Sequence, residues 1–132
     1  MGKVYYLDTN ICIFHMRKPF GELAKKINAI APSCIKLSAI VKGELLVGAE
    51  KSKRREETLA FCMPYEIVPF DDSMAKPYAE TRAALERKGQ KIGYNDSLIA
   101  ATVLVKGGVL VTHNTKEFSR IEGLMLEDWA ED

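Results

Sequence analysis

Histidine is scarce in this chain of 132 residues: only His15 and His113 occur, and neither has a partner at metal-ligand spacing. A tetrahedral zinc site, which needs paired His or Cys ligands, is therefore not expected. Cysteine is nearly as rare. Cys12, Cys34 and Cys62 are odd in number, lie among apolar neighbours and form no Cys-x-x-Cys pair. They read as reduced core thiols of a cytoplasmic protein and not as a disulfide framework. No apolar run reaches the ~20 residues of a membrane span, and the opening residues do not read as a signal peptide. An excess of one charge is also missing, since 19 Lys and Arg face 18 Asp and Glu for a net charge of +1. Such a balance gives no global field for nucleic acid, so phosphate binding would have to come from local basic patches. Repeats, low-complexity tracts and linkers are absent, and residues 1–132 read as a single domain.

What is there is 47% hydrophobic and 28% charged, as expected of a globular protein, and it is sorted into alternating short runs. Strands are predicted over 3–7, 34–37, 66–70, 109–112 and 124–126, from β-branched and aromatic content between turn residues. Pro69 assigns the 66–70 strand to an edge or a strand end. Helices are predicted over 10–17, 21–30, 38–50 with Ser38 as cap, and 53–62. Further helices are predicted from Asp71 to Lys88, stopped by Gly89, and from about Tyr94 to Gly107, with one turn over 115–118. The segment SLIAATVLV within the 94–107 helix is apolar almost all round and should be buried on most sides. Strands alternating with helices give an α/β fold with a mainly parallel sheet flanked by helices.

The stretch VYYLDTNICIF interrupts a hydrophobic run with three polar residues. Asp8 falls where the first strand ends, and open α/β sheets place their sites at the carboxyl ends of strands. Asp96 opens the apolar helix. Glu44 lies in the helix after the second strand, and Asn114 and Glu117 follow the VLVT strand. Each has a plainer reading: Asp8 and Asp96 as helix caps, Glu44 as a solvated helix residue, Glu117 as a first-turn acid favoured by the helix dipole. Together they suggest a different arrangement. In a parallel sheet these strand ends share one edge, and a carboxylate cluster there is costly unless a cation relieves the repulsion. Hard oxygen ligands without His or Cys point to Mg²⁺, with Mn²⁺ as the alternative.

The blocks LDTNICI, SAIVKGELLVGAEKS, IGYNDSLIAA and LVTHNTKEFSRIEGLMLEDW occur in that order and span the chain. In this order they resemble the PIN-domain ribonucleases, and among them the VapC toxins of bacterial toxin–antitoxin pairs. The resemblance implies a PIN-like three-layer α/β/α fold. It also implies a Mg²⁺-dependent endoribonuclease that hydrolyses RNA phosphodiesters, leaving a 5′ phosphate, with transfer RNA a leading substrate. The family's acidic positions fall on Asp8, Glu44 and Asp96, with metal held chiefly through Asp8 and Asp96. Many relatives carry aspartate where this chain has Asn114. Here the fourth acid is Glu117, three residues on. Thr9, Asn10 and Asn114 are expected to orient the carboxylates or the water around the metal.

Because an acidic cluster repels phosphate, RNA must be held by cations at its rim, for which Arg17, Lys18, Lys91 and Lys116 are the candidates. Lys51, Lys53, Arg54 and Arg55 read either as a solvated hairpin tip or as an RNA contact. Tyr94 reads as a base-stacking or a packing residue, and His113 as structural or as a general base. The resemblance further implies a VapB-like antitoxin, contact with operator DNA only through it, and a homodimer. The apolar residues Leu98, Val103 and Leu104 are expected in the dimer contact. Two other readings stay open. One is a metal-dependent phosphatase with Asp8 as nucleophile, although Asn10 stands where such enzymes place a second aspartate. The other is a non-catalytic module whose acidic groove binds a basic partner.

Overall fold

Five short apolar runs form one sheet in the computed structural model, which describes residues 2–130. They are β1 (Tyr5–Leu7), β2 (Ile35–Ser38), β3 (Glu66–Val68), β4 (Val109–Val111) and β5 (Met125–Glu127). Their order is β3-β2-β1-β4-β5, and every pairing is parallel. Successive residues of a strand point to opposite faces, and both Tyr6 and Leu7 are buried. Helices therefore cover the sheet on both sides, as a parallel sheet requires.

The covering helices are α1 (Thr9–Arg17), α2 (Glu22–Asn28), α3 (Ala39–Ser52), α4 (Arg55–Cys62), α5 (Ala75–Arg87), α6 (Tyr94–Lys106) and the single turn α7 (Thr115–Phe118). Their ends follow from local chemistry. The Ser38 hydroxyl accepts a hydrogen bond from the Val41 N–H at 3.1 Å and starts α3. Lys53, at φ 60°, breaks the chain between α3 and α4. Gly89, at φ 68°, closes α5.

The chain runs β1-β2-β3 towards one edge, then returns to the other side of β1 with β4 and β5. The switch in direction lies between β1 and β4, the place where open α/β sheets leave a crevice at their carboxyl ends. Asp8 ends β1 there, and its N–H donates to the Val111 carbonyl of β4 at 2.8 Å.

Several predicted boundaries shift. The strand expected over 66–70 ends at Val68, because Pro69 has no N–H to continue the ladder. The helix expected from Asp71 begins instead with a 3-10 turn, Asp72–Met74, before α5. The sheet is wholly parallel where a mainly parallel one was expected. One expectation needs correction: Val103 is 2% exposed within its own core and is not available to a partner copy. Leu98 and Leu104, assigned with it to a dimer contact, are half-buried.

Candidate active site

Asp8 is the hub of the crevice. It is the N-cap of α1, and its Oδ1 accepts from the Thr9 N–H at 2.9 Å. Its Oδ2 accepts from the Thr112 hydroxyl at 2.7 Å. Thr112 lies just past β4, and its Oγ1 in turn accepts from the Asn114 N–H at 3.0 Å. The strand end after β4 thus clamps the carboxylate that ends β1. Asp8 is 5% exposed, and burial raises its pKa despite the hydrogen bonds from Thr112 and Thr9, with Glu44 adding to the rise.

Glu44 reaches the same place from α3. Its Oε1 accepts from the Thr9 hydroxyl at 2.6 Å, and its Oε2 from the Asn95 side-chain amide at 3.2 Å. Asn95 and Asp96 occupy the first turn of α6. The Asp96 carboxyl is pushed up to about 6, first by burial and then by the charges of Asp8, Glu44 and Glu117. Glu117, in α7, accepts at Oε2 from the Asn114 side-chain amide at 3.3 Å. The four acids picked from the sequence therefore meet, from four different elements. Three of them, Asp8, Glu44 and Asp96, line an open pocket of about 460 Å³ together with Thr9, Asn10, Ile13, His113 and Asn114. Glu117 stands behind Asn114 and joins through it.

This donor set suits a hard divalent cation. Among the described residues, no three His, Cys, Asp or Glu side chains form a ligand group on their own. The carboxylates face a shared opening but leave room for water. Magnesium binds in that way, through one or two direct carboxylates and several waters. Burial first, and then the charges of Asp8, Glu44 and Glu117, raise the Asp96 carboxyl, a repulsion that a bound cation would offset.

Three residues of the site escaped the sequence reading. Thr112 reads from the sequence only as a strand residue; its pairing with Asp8 depends on the β1–β4 register, which one strand's sequence does not reveal. Asn95 reads from the sequence only as the neighbour of Asp96, yet its side-chain amide donates to Glu44. Asp128 contacts His113, Oδ2 to Nδ1 at 3.0 Å, and orients that ring at the pocket rim beside Phe14. Of the basic candidates, Arg17 lines a groove of about 450 Å³ between α1, α3 and α4. That groove shares Glu44 and Ile13 with the acidic pocket and also takes in Arg54. Lys18 caps the far end of α1, Lys91 precedes α6, and Lys116 is exposed on α7. None of these three lines the acidic pocket.

The PIN-domain sequence profile matches residues 5–124. The chain is 39% identical over 131 residues to ribonuclease VapC2 of Rickettsia felis, covering 96% of this chain and 98% of that one. It is 37% identical over 130 residues to the tRNA(fMet)-specific endonuclease VapC of Salmonella typhimurium, with the same coverage, 96% and 98%. Among solved structures, VapBC2 of Rickettsia felis, bound to a DNA fragment from its promoter, contains a chain that superposes with a TM-score of 0.87 at 38% identity. That superposition covers 96% of this chain and 99% of the other.

Proposed function

The chain belongs to the PIN-domain family, and from that premise we propose that it is a metal-dependent endoribonuclease, the toxin of a toxin–antitoxin pair. The observation that supports this most is the convergence of Asp8, Glu44 and Asp96, from three separate elements, on one open pocket at the carboxyl ends of the strands. Asp8 and Asp96 hold the cation, Mg²⁺ or Mn²⁺, in this reading. Glu44 is aimed into the pocket by Thr9 and Asn95, and Glu117 acts through Asn114. Thr112 and the start of α1 fix the Asp8 carboxylate, so that its orientation costs nothing further at the moment of reaction. When bound, the cation supplies Lewis-acid chemistry for in-line hydrolysis of the phosphodiester, leaving a 5′ phosphate.

RNA approaches an acidic centre only if cations at the rim offset the repulsion, the role proposed for Arg17, Lys18, Lys91 and Lys116. Accessible loops of a structured RNA are the natural target. The name of the Salmonella relative favours transfer RNA. A VapB-like antitoxin is the expected partner, with operator DNA reached only through it. A homodimer through the half-buried apolar side of α6 completes the assembly. No helix among the described residues is long and apolar enough to cross a membrane, and we place the activity in the cytoplasm.

The test is cleavage of transfer RNA by purified protein in Mg²⁺ and in EDTA, with 5′ ends sequenced, for the native chain and Asp8→Ala. Cleavage is expected only for the native chain in Mg²⁺. Equal cleavage by Asp8→Ala, or cleavage undiminished by EDTA, contradicts the assignment.

A further inference from the structure

The motif Gly93-Tyr94-Asn95-Asp96 delivers Asn95 and Asp96 to the acidic pocket, but Tyr94 turns away from it towards α5. Tyr94 is 69% exposed, which is unusual for a large aromatic residue whose role is packing. It is nevertheless held in place. The Arg82 guanidinium lies over one face of the ring, 4.1 Å from its centroid. Arg82 is itself fixed, donating to Glu86 Oε2 at 2.8 Å and to the Ser97 hydroxyl at 3.3 Å, with its side chain only 15% exposed. One face of Tyr94 is therefore backed by a planar cation. Lys91 is exposed on the loop three residues before Tyr94, and the Lys91 carbonyl accepts from Arg120 Nη1 at 3.2 Å.

We propose that Tyr94 is a stacking platform for an unpaired nucleobase of the RNA, backed by Arg82 and set on the α5 side of the carboxylate pocket. This rests on the nuclease reading and adds to it what the substrate must offer. Tyr94 and Asp96 have Cα atoms roughly 5 Å apart by helix geometry. Residues two apart on a helix project to different sides, so a base on the ring belongs to a nucleotide flanking the bond cut at the acids and not to the scissile position itself. A base stacked inside a duplex does not reach such a platform, so the substrate is a loop or single strand with at least one splayed base. Stacking on one ring is tolerant of base identity, so the platform selects for an unpaired base and not for a sequence.

The test uses a fluorescent single-stranded RNA hexamer and the same hexamer made of abasic nucleotides, titrated by anisotropy in Ca²⁺ with the RNA checked intact afterwards. Tyr94→Ala is expected to weaken binding of the base-bearing hexamer about tenfold. It should leave binding of the abasic hexamer within about twofold, and Tyr94→Phe should bind both as the native chain does. The platform is overturned if Tyr94→Ala matches the native chain on both RNAs, or weakens both equally. It is also overturned if light scattering shows that Tyr94→Ala changes the oligomeric state, since the ring then belongs to a protein contact. Native protein that cleaves RNA while failing these comparisons loses the platform alone. Native protein that binds neither hexamer and cleaves no RNA removes the nuclease reading and the platform together.

Discussion

Asp8 and Asp96 share a pocket but differ in how the protein holds them, and the difference decides which one reports on repulsion. Both Asp8 oxygens accept protein hydrogen bonds, from Thr9 and Thr112. Asp8→Asn would turn an amide N–H towards the Thr112 oxygen, which already accepts from Asn114, and leave the hydroxyl proton to find another acceptor. The loss of charge and the loss of that bond then oppose each other. Asp96 is the cleaner probe. Its folded pKa is about 6, against about 3.9 for an unfolded aspartate. Without a cation the folded state binds this proton more tightly than the unfolded chain, so Asp96 destabilises the fold above about pH 6. That penalty is relieved as pH falls from 6 towards 4. Asp96→Asn in EDTA at pH 7.5 should melt roughly 3–5 °C above the native chain, a modest figure that allows for solvent screening. The gap should shrink to about a third by pH 4.5; a gap of the same size at both values would show that charge is not its cause.

At the scale of elements, the strands and helices were largely legible, because periodicity and caps are written locally. Ser38 reads as a cap and is one. Ser38→Ala should cost about 1 kcal/mol, seen as a melting point lower by roughly 3–5 °C. It frees the start of the helix that carries Glu44. Gly107-Gly108 reads as a stop after α6, but the sequence did not reveal how tight the turn is. Gly108 sits at φ 116°, and a Cβ there would lie 2.6 Å from the Val4 carbonyl oxygen beside β1. Gly108→Ala should therefore destabilise by about 3 kcal/mol or more, enough to show as a clear loss in chemical denaturation. An unchanged midpoint would mean the β1–β4 junction is looser than described. Asp8 and Asp96 were legible because one follows a strand and the other lies in the first turn of a helix, and Glu44 because it lies in the helix that follows β2. Thr112 and Asn95 were not, because their partners depend on strand register and helix rotation. The extra apolar surface of α6 was overestimated for a similar reason: Val103 faces its own core, which a pattern apolar all round does not reveal.

For the whole molecule, expression without a partner should arrest growth, and Asp8→Ala or Asp96→Ala should relieve the arrest while the protein stays soluble. The acidic pocket continues through Glu44 into the groove between α1 and α3. An antitoxin segment lying in that groove is expected to place an Arg against the carboxylates, since its fork pairs with them in bidentate fashion. Antitoxin that still blocks cleavage after every basic residue of that segment becomes alanine would contradict this. All of it depends on the acids forming one cation site, and melting curves with and without Mg²⁺ at low ionic strength test that directly. Native protein should gain roughly 10 °C from Mg²⁺ at a hundredfold excess over the dissociation constant. Asp96→Asn should start higher in EDTA and gain far less. If Asp96→Asn gains as much from Mg²⁺ as the native chain, the cation does not bind among these carboxylates and the account is wrong.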